Sequence, residues 1–515
     1  MATEKELEAS PEARQLKLGT SFLGQPKAIG TLSVMQLFNS FSNYTMSAIL
    51  VYYLYATVAE GGLGLSKTDA AQLISLYSAV SLLAGLVGSV VADRILGPRT
   101  GLRFTRIIST CAYVLLALPG IGVVGYAGSQ ILLVIAAMMG GRSVEALTGK
   151  MYEQGDGRRD TAFTINYTIA NIGACVPAIA GAIALAVGYH GAFAVGAVAA
   201  ACGTITYLLT EKKFFGPIGT VPDDPMPTPQ RNRFVGILAA CVIAFVALLA
   251  YLFLNGIVTV KQFANTMSTA AIFIPLVYLG YIVKSKKTTP EEARKVIGLL
   301  PLYACNALAM LVWTQSTSVL AIYAETSVDL NLFGVEISPA TFQTVPGILG
   351  LVFGIVATGL WAKMGQKQPS NPTKIGLGTI LWGLGPVFMC LPFLLFPAGV
   401  KVSPLWLVMF YVIIIAGEAI TSGPGYASAT IVAPAAFATQ MVTVWSLSQS
   451  TGAGLSTLVS QFYAEGSEVP YFLAMGGVTI VVGLAVLLCT KKLSHIMGLD
   501  VAEKAFEQEE AEAGK

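Results

Sequence analysis

Apolar runs of about 20 residues follow one another along nearly the whole chain, each long enough to cross a ~30 Å hydrocarbon layer as a helix. In lipid the backbone must satisfy its polar groups within its own segment, so such runs imply helices and leave little room for other structure. Fourteen are read here, at about 31–56, 69–92, 103–125, 128–151, 160–186, 190–210, 234–256, 264–284, 296–323, 340–364, 374–396, 404–430, 436–460 and 468–490. Only 11% of the 515 residues are charged, against about 25% in soluble domains. The chain is therefore expected to be an all-α integral membrane protein.

Basic residues set the expected orientation. With the N-terminus inside and sides alternating, 27 of the 31 Lys and Arg fall on the inner side, counting Arg94, Arg99, Arg103 and Arg106 as one inner group. Lys67, Lys261 and Lys401 fall outside, and Arg142 is buried. This positive-inside bias predicts a plasma-membrane protein with both termini cytoplasmic. The N-terminal stretch has no apolar core, so no cleavable signal peptide is expected.

The proline-rich segment Gly216–Arg233 separates six spans from the rest. The expected organisation is an N-terminal segment 1–30, a six-helix bundle 31–211, a linker 212–295 with two additional spans, a second six-helix bundle 296–490 and a tail 491–515. Two six-helix bundles around a central site is the plan of the major facilitator fold, an analogy at the level of architecture.

Composition excludes several functions. A net charge of +3 gives no reason to expect nucleic acid. The seven cysteines lie within apolar runs without metal-type spacing, and His190 and His495 lie outside the spans. No nucleophile–base pair, metal cluster or phosphate-binding glycine loop is present, so neither an enzyme nor an ATP-driven pump is expected. No metal or other cofactor is expected, although a proton gradient remains an available energy source. The expected partners are a small solute or short peptide and the lipid bilayer, with the chain acting as a monomer.

The few charges inside the spans carry the functional argument. Arg142 and Glu145 interrupt the fourth run three residues apart, and on a continuous helix they share one face. Arg142 is then roughly 18 Å along the helix from Gln130, within the hydrocarbon layer, where an ionised side chain must face protein or a water-filled cavity. The pair either lines such a cavity or neutralises itself to fix packing. Glu418, behind the apolar stretch Met409–Gly417, is a lone carboxylate that needs a cation or a proton. Gln36, Asn39 and Asn43 form one stripe on the first span, suited to a substrate or to joining helices.

Gly88-Ser-Val-Val-Ala-Asp93-Arg94-Ile-Leu-Gly97 resembles the gating loop of major facilitators, with Asp93 suited to helix N–H groups and Arg94 to a carboxylate. The form Ala-Asp-Arg-Ile-Leu-Gly is similar to that of the proton-coupled oligopeptide transporter (POT/PTR2) family. So are Gly155-Asp-Gly-Arg158-Arg159-Asp160 followed by Phe163-Thr-Ile-Asn-Tyr167-Thr-Ile-Ala-Asn171-Ile-Gly173-Ala, Trp313-Thr-Gln315, Asn331-Leu-Phe-Gly334, Phe342-Gln343, Gly417-Glu418-Ala-Ile-Thr-Ser422 and Trp445. The resemblance covers nearly the whole chain, and two spans inserted between the halves fit bacterial members. It implies a secondary transporter of small peptides or peptide-like compounds working by alternating access. Glu418 would receive a peptide's ammonium group with help from Asn171, and Gln315 and Trp445 would be pocket walls.

The departures are as informative. The family's first span carries Glu-x-x-Glu-Arg-Phe-x-Tyr-Tyr-Gly, thought to couple protons and hold the peptide carboxylate. Here the register reads Gln36-Leu-Phe-Asn39-Ser40-Phe41-Ser-Asn43-Tyr44-Thr45, neutral throughout. The fourth-span lysine falls on Gly141, with Arg142 beside it, and the acid expected before Gln315 is Thr314. Gln36, Asn39, Tyr44 and Arg142 thus join the expected substrate-binding set, and Glu145, Arg142 and Glu418 the charge-coupling set. Symport is expected in atypical or weakened form, with a carrier for a non-peptide solute such as an amino acid, organic anion or drug as the alternative.

Overall fold

The structure is a computed structural model describing residues 4–153, 156, 158–332, 334–364 and 367–498. Gly155 and Gly157 of the fifth-span motif, Phe333, and the acidic tail beyond Gly498 lie outside the described residues. Within them, ten helices are long and apolar enough to cross a membrane. One of these stretches, Thr161–Phe215, covers 55 residues in the helices Arg158–Ala174 and Pro177–Phe215, the second breaking at Gly188, whose φ of 81° is outside the helical range, and it has the length of two crossings. Lys27–Tyr55, Pro98–Ala117 and Ala438–Ser460, of 29, 20 and 23 residues, have crossing length too. With these, fourteen segments of crossing length are present among the described residues, as many as the apolar runs of the sequence. The strands among the described residues form one hairpin, Asn331–Leu332 with Val335–Glu336.

The chain divides into two compact units. The first comprises Met1–Leu65 and Ser81–Phe263, the second Ser66–Val80 and Ala264–Lys515. The helix Lys67–Val91 is thus shared, its first half belonging to the second unit.

In the first unit, Lys27–Tyr55 packs along Pro177–Phe215 and Arg158–Ala174, and Pro98–Ala117 packs along Gly122–Gly140. Arg99 and Arg103 both reach Glu211: Arg103 Nη2 lies 2.6 Å from one carboxylate oxygen and Arg99 Nε 3.5 Å from the other. The Glu211 side chain is 2% exposed. At the same end the segment Gly216–Met226 is strapped down. Arg99 N–H donates to the Gly219 carbonyl at 2.9 Å and its guanidinium to that of Gly216. The buried Glu4 carboxylate accepts from the Gly219 and Val221 N–H groups at 2.5 and 3.1 Å. Lys150 pairs with Glu8 and Asp223 at 2.6 and 2.5 Å.

In the second unit, Asn371–Phe388 is flanked by Glu468–Leu488 and Leu405–Ile431. Glycines set these approaches, as is common where helices meet in lipid. A Cβ on Gly383 would lie 2.6 Å from the Gly476 carbonyl, and one on Gly417 2.8 Å from that of Gly378. The inserted helix Thr228–Leu254 has no buried residue and presents apolar side chains outward throughout, as a lipid-facing helix must.

Losing one partner of a buried ion pair leaves an uncompensated charge. We expect Glu211→Gln to destabilise the protein by on the order of 3 kcal/mol, read as a lowered midpoint of thermal unfolding in detergent. Glu291→Gln, which removes a surface pair with Lys295, should change it little.

Candidate functional site

Glu418 sits at the middle of Leu405–Ile431, about 20 Å from its start at 1.5 Å per residue. Gly417 faces Gly378 and Trp382 of the neighbouring helix, and successive side chains turn by about 100°, so the carboxylate projects away from that contact. Its side chain is exposed, and among the described residues no cation lies within ion-pair distance. A charge at this depth must border a water-filled space. One turn on, Ser422 and Gly423 continue the same accessible face, and Pro424 weakens the helix behind it.

In the first unit, Gln36, Asn39 and Tyr44 are half-buried along Lys27–Tyr55. Asn171 is half-buried near the end of Arg158–Ala174, two residues before Gly173. A Cβ on Gly173 would press on Ser40 and on the backbone of Leu37 and Phe41, so this glycine brings the two helices together. Asn39 Oδ1 accepts a hydrogen bond from the Arg106 guanidinium. Sequence reasoning counted Arg106 with the inner loop charges. It lies eight residues into Pro98–Ala117, roughly 12 Å along the helix. The spacing of Arg99, Arg103 and Arg106 was the available signal, since it places three cations on one helix face.

The continuous helix expected across Arg142 and Glu145 is corrected by the structure. Gly122–Gly140 ends, Gly141 takes φ 46° and ψ −122°, Arg142 is non-helical, and a separate helix runs Ser143–Lys150. Arg142 stands at the N-cap of that helix, its carbonyl accepting from the Ala146 N–H at 3.0 Å, and both Arg142 and Glu145 are exposed rather than buried. The cause is a close crossing. A Cβ on Gly141 would strike the backbone of Gly88 and Ser89, and a positive φ of this kind suits glycine alone.

Gln315 and Trp445 are buried within the second unit. Gln315 donates to Ser456 Oγ at 2.7 Å and Ser460 Oγ at 3.2 Å, and accepts from the Tyr471 hydroxyl at 2.6 Å. Trp445, 3% exposed, has its indole laid against Gly425. Asp93 and Arg94 lie in a π-turn, Ala92–Leu96. Their carbonyls accept from the N–H groups of Asp224 and Met226, and Arg94 Nε is 3.0 Å from the Asp224 carboxylate. The carboxylate met by the motif arginine therefore belongs to the segment joining the helical bundles.

Helices long and apolar enough to cross a membrane, an accessible carboxylate midway along one of them and a loop motif tied to the joining segment fit a membrane solute carrier. The POT family model matches residues 107–482. A di-/tripeptide transporter of Lactococcus lactis subsp. cremoris is 31% identical over 492 residues, covering 94% of this chain and 98% of that protein. A crystal structure of a peptide transporter POT in complex with sulfate superposes with a TM-score of 0.91 at 32% identity, covering 96% of this chain and all of that one. A POT family transporter in complex with 5-aminolevulinic acid gives 0.87 at 28% identity, covering 92% and 98%. The chain belongs to the POT family, and that family consists of membrane transporters.

Replacing Gln315 strands buried partners, which costs about 1–3 kcal/mol for each group left unsatisfied. Gln315→Leu should therefore lower the thermal unfolding midpoint by several degrees.

Proposed function

We propose that this protein is a secondary transporter of di- and tripeptides, or of compounds with the same charged ends, working by alternating access. The observation that carries this reading is Glu418, an accessible mid-membrane carboxylate with no cation within ion-pair distance among the described residues. A substrate ammonium satisfies it with charge-assisted hydrogen bonds that a neutral solute does not offer. The relatives named for di- and tripeptide transport support the same substrate class. Asn171, Gln36, Asn39 and Tyr44 are proposed as polar contacts, Glu145 and Arg142 as accessible charges bearing on coupling, and Asp93 and Arg94 as the gating motif. Gln315 and Trp445 act by shaping the walls behind such contacts. The two bundles are proposed at 31–211 and 296–490, in a monomer of the plasma membrane with both termini cytoplasmic.

Coupling to protons follows from which groups titrate. Gln36 and Asn39 do not, so the first span offers no carboxylate to carry a proton. Glu418 is neutralised either by a proton or by the substrate's ammonium, and the two compete for one carboxylate. Competition of this kind favours exchange or weak coupling over tight symport.

The test is uptake of a radiolabelled dipeptide into proteoliposomes, with and without an imposed pH gradient. We expect saturable uptake that Glu418→Gln abolishes in a protein that still folds. Undiminished dipeptide binding to that variant, or uptake of an organic anion in place of peptide, removes the peptide reading. We further expect an inward proton gradient to raise uptake only modestly. Strong uphill accumulation, collapsed by a protonophore, would show tight coupling instead.

A further inference from the structure

The second unit carries a basic platform that its own carboxylates do not answer. The helix Val260–Lys284 leads through a short connection into Pro290–Gly298, which packs on Thr490–Met497. A Cβ on Gly298 would press on Ile496 and Met497. Ile282, Val296, Leu299, Leu493 and Met497 share one buried cluster, so the three helices are fixed together. The connection is tied down too. The Thr288 hydroxyl donates to the Ile282 carbonyl at 2.7 Å, and Thr289 with Glu292 forms a capping box on the helix that follows.

Six cations stand on this platform, Lys284, Lys286, Lys287, Arg294, Lys491 and Lys492, and all are exposed. Among the described residues none lies within ion-pair distance of a carboxylate; Lys295 alone in this group has one, Glu291 at 2.9 Å. The other acid of the segment, Glu292, accepts from the Thr289 N–H and hydroxyl at 2.8 and 2.9 Å. In the first unit, by contrast, Arg94, Arg99, Arg103, Lys150 and Arg158 each meet a carboxylate. What precedes the cations sets their level. Tyr281, 61% exposed, stands one turn before Lys284, and Leu488, 88% exposed, three residues before Lys491. Outward aromatic and apolar side chains that give way to lysine within a turn mark the boundary between hydrocarbon and headgroups. Ile297, one turn on from Arg294, is exposed as well.

We propose that this platform is a docking surface for anionic phospholipids of the leaflet it faces, whose phosphates are held among the six cations. Basic side chains clustered just beyond the ends of membrane-crossing helices attract anionic headgroups, and the exposed apolar residues beside them meet the acyl chains. A zwitterionic headgroup carries no net charge and gains less from the same surface.

The experiment titrates the purified full chain in detergent with equal amounts of dioleoylphosphatidylglycerol and dioleoylphosphatidylcholine and resolves the bound lipids by native mass spectrometry. Wild type is expected to prefer phosphatidylglycerol by on the order of ten-fold. The combined variant Lys286→Gln, Lys287→Gln, Lys491→Gln and Lys492→Gln should bring that preference close to one. Its substitutions fall on exposed side chains and leave the buried cluster intact. A matched variant in the first unit, Lys212→Gln, Lys213→Gln, Arg231→Gln and Arg233→Gln, removes the same charge from exposed positions elsewhere and should keep the preference. No preference in wild type, an undiminished preference in the first variant, or an equal loss in both overturns the assignment. Release of the bound lipid by inorganic phosphate at the same concentration overturns it too, because the surface is then one for free anions.

Discussion

A charge inside a bilayer must be answered by protein, by water or by a ligand, because the surrounding hydrocarbon answers nothing. The structure sorts its buried charges by this rule. Arg99, Arg103 and Glu211 answer one another. At the end of the first unit Glu4, Glu8 and the half-exposed Asp223 all pair with Lys150. These groups are finished and hold the scaffold. Glu418 and Arg106 are unfinished: one carboxylate and one guanidinium, each placed by a well-packed helix, each without an ion partner among the described residues.

Glycine supplies the geometry that makes the sorting possible. Gly417 against Gly378 fixes the rotation of the helix that carries Glu418. Gly173 against Ser40 and Leu37 fixes Asn171 relative to the first long helix. Gly88 against Gly141 does more, since the crossing is tight enough to end a helix and to set Arg142 outside helical register. At Gly97, φ is 75° and a Cβ would meet Thr220 and Val221, so the loop motif doubles as a seat for the joining segment. Without aqueous hydrophobic pressure between helices, contact at van der Waals distance decides which faces meet.

The number of crossings was legible because hydropathy over 20 residues is a strong signal, and the family was legible because its motifs recur in order. The break at Gly141 had a visible cue in the pair Gly140-Gly141, but an apolar run gives no reason to expect an interruption. Gln315 and Trp445 show a deeper limit. On a helix apolar all round, core and lipid faces have the same composition, so periodicity does not say which way a residue points. Arg106 shows a third limit: in sequence it groups with Arg99 and Arg103, and only the packing of Pro98–Ala117 gives it Asn39 as partner while theirs is Glu211.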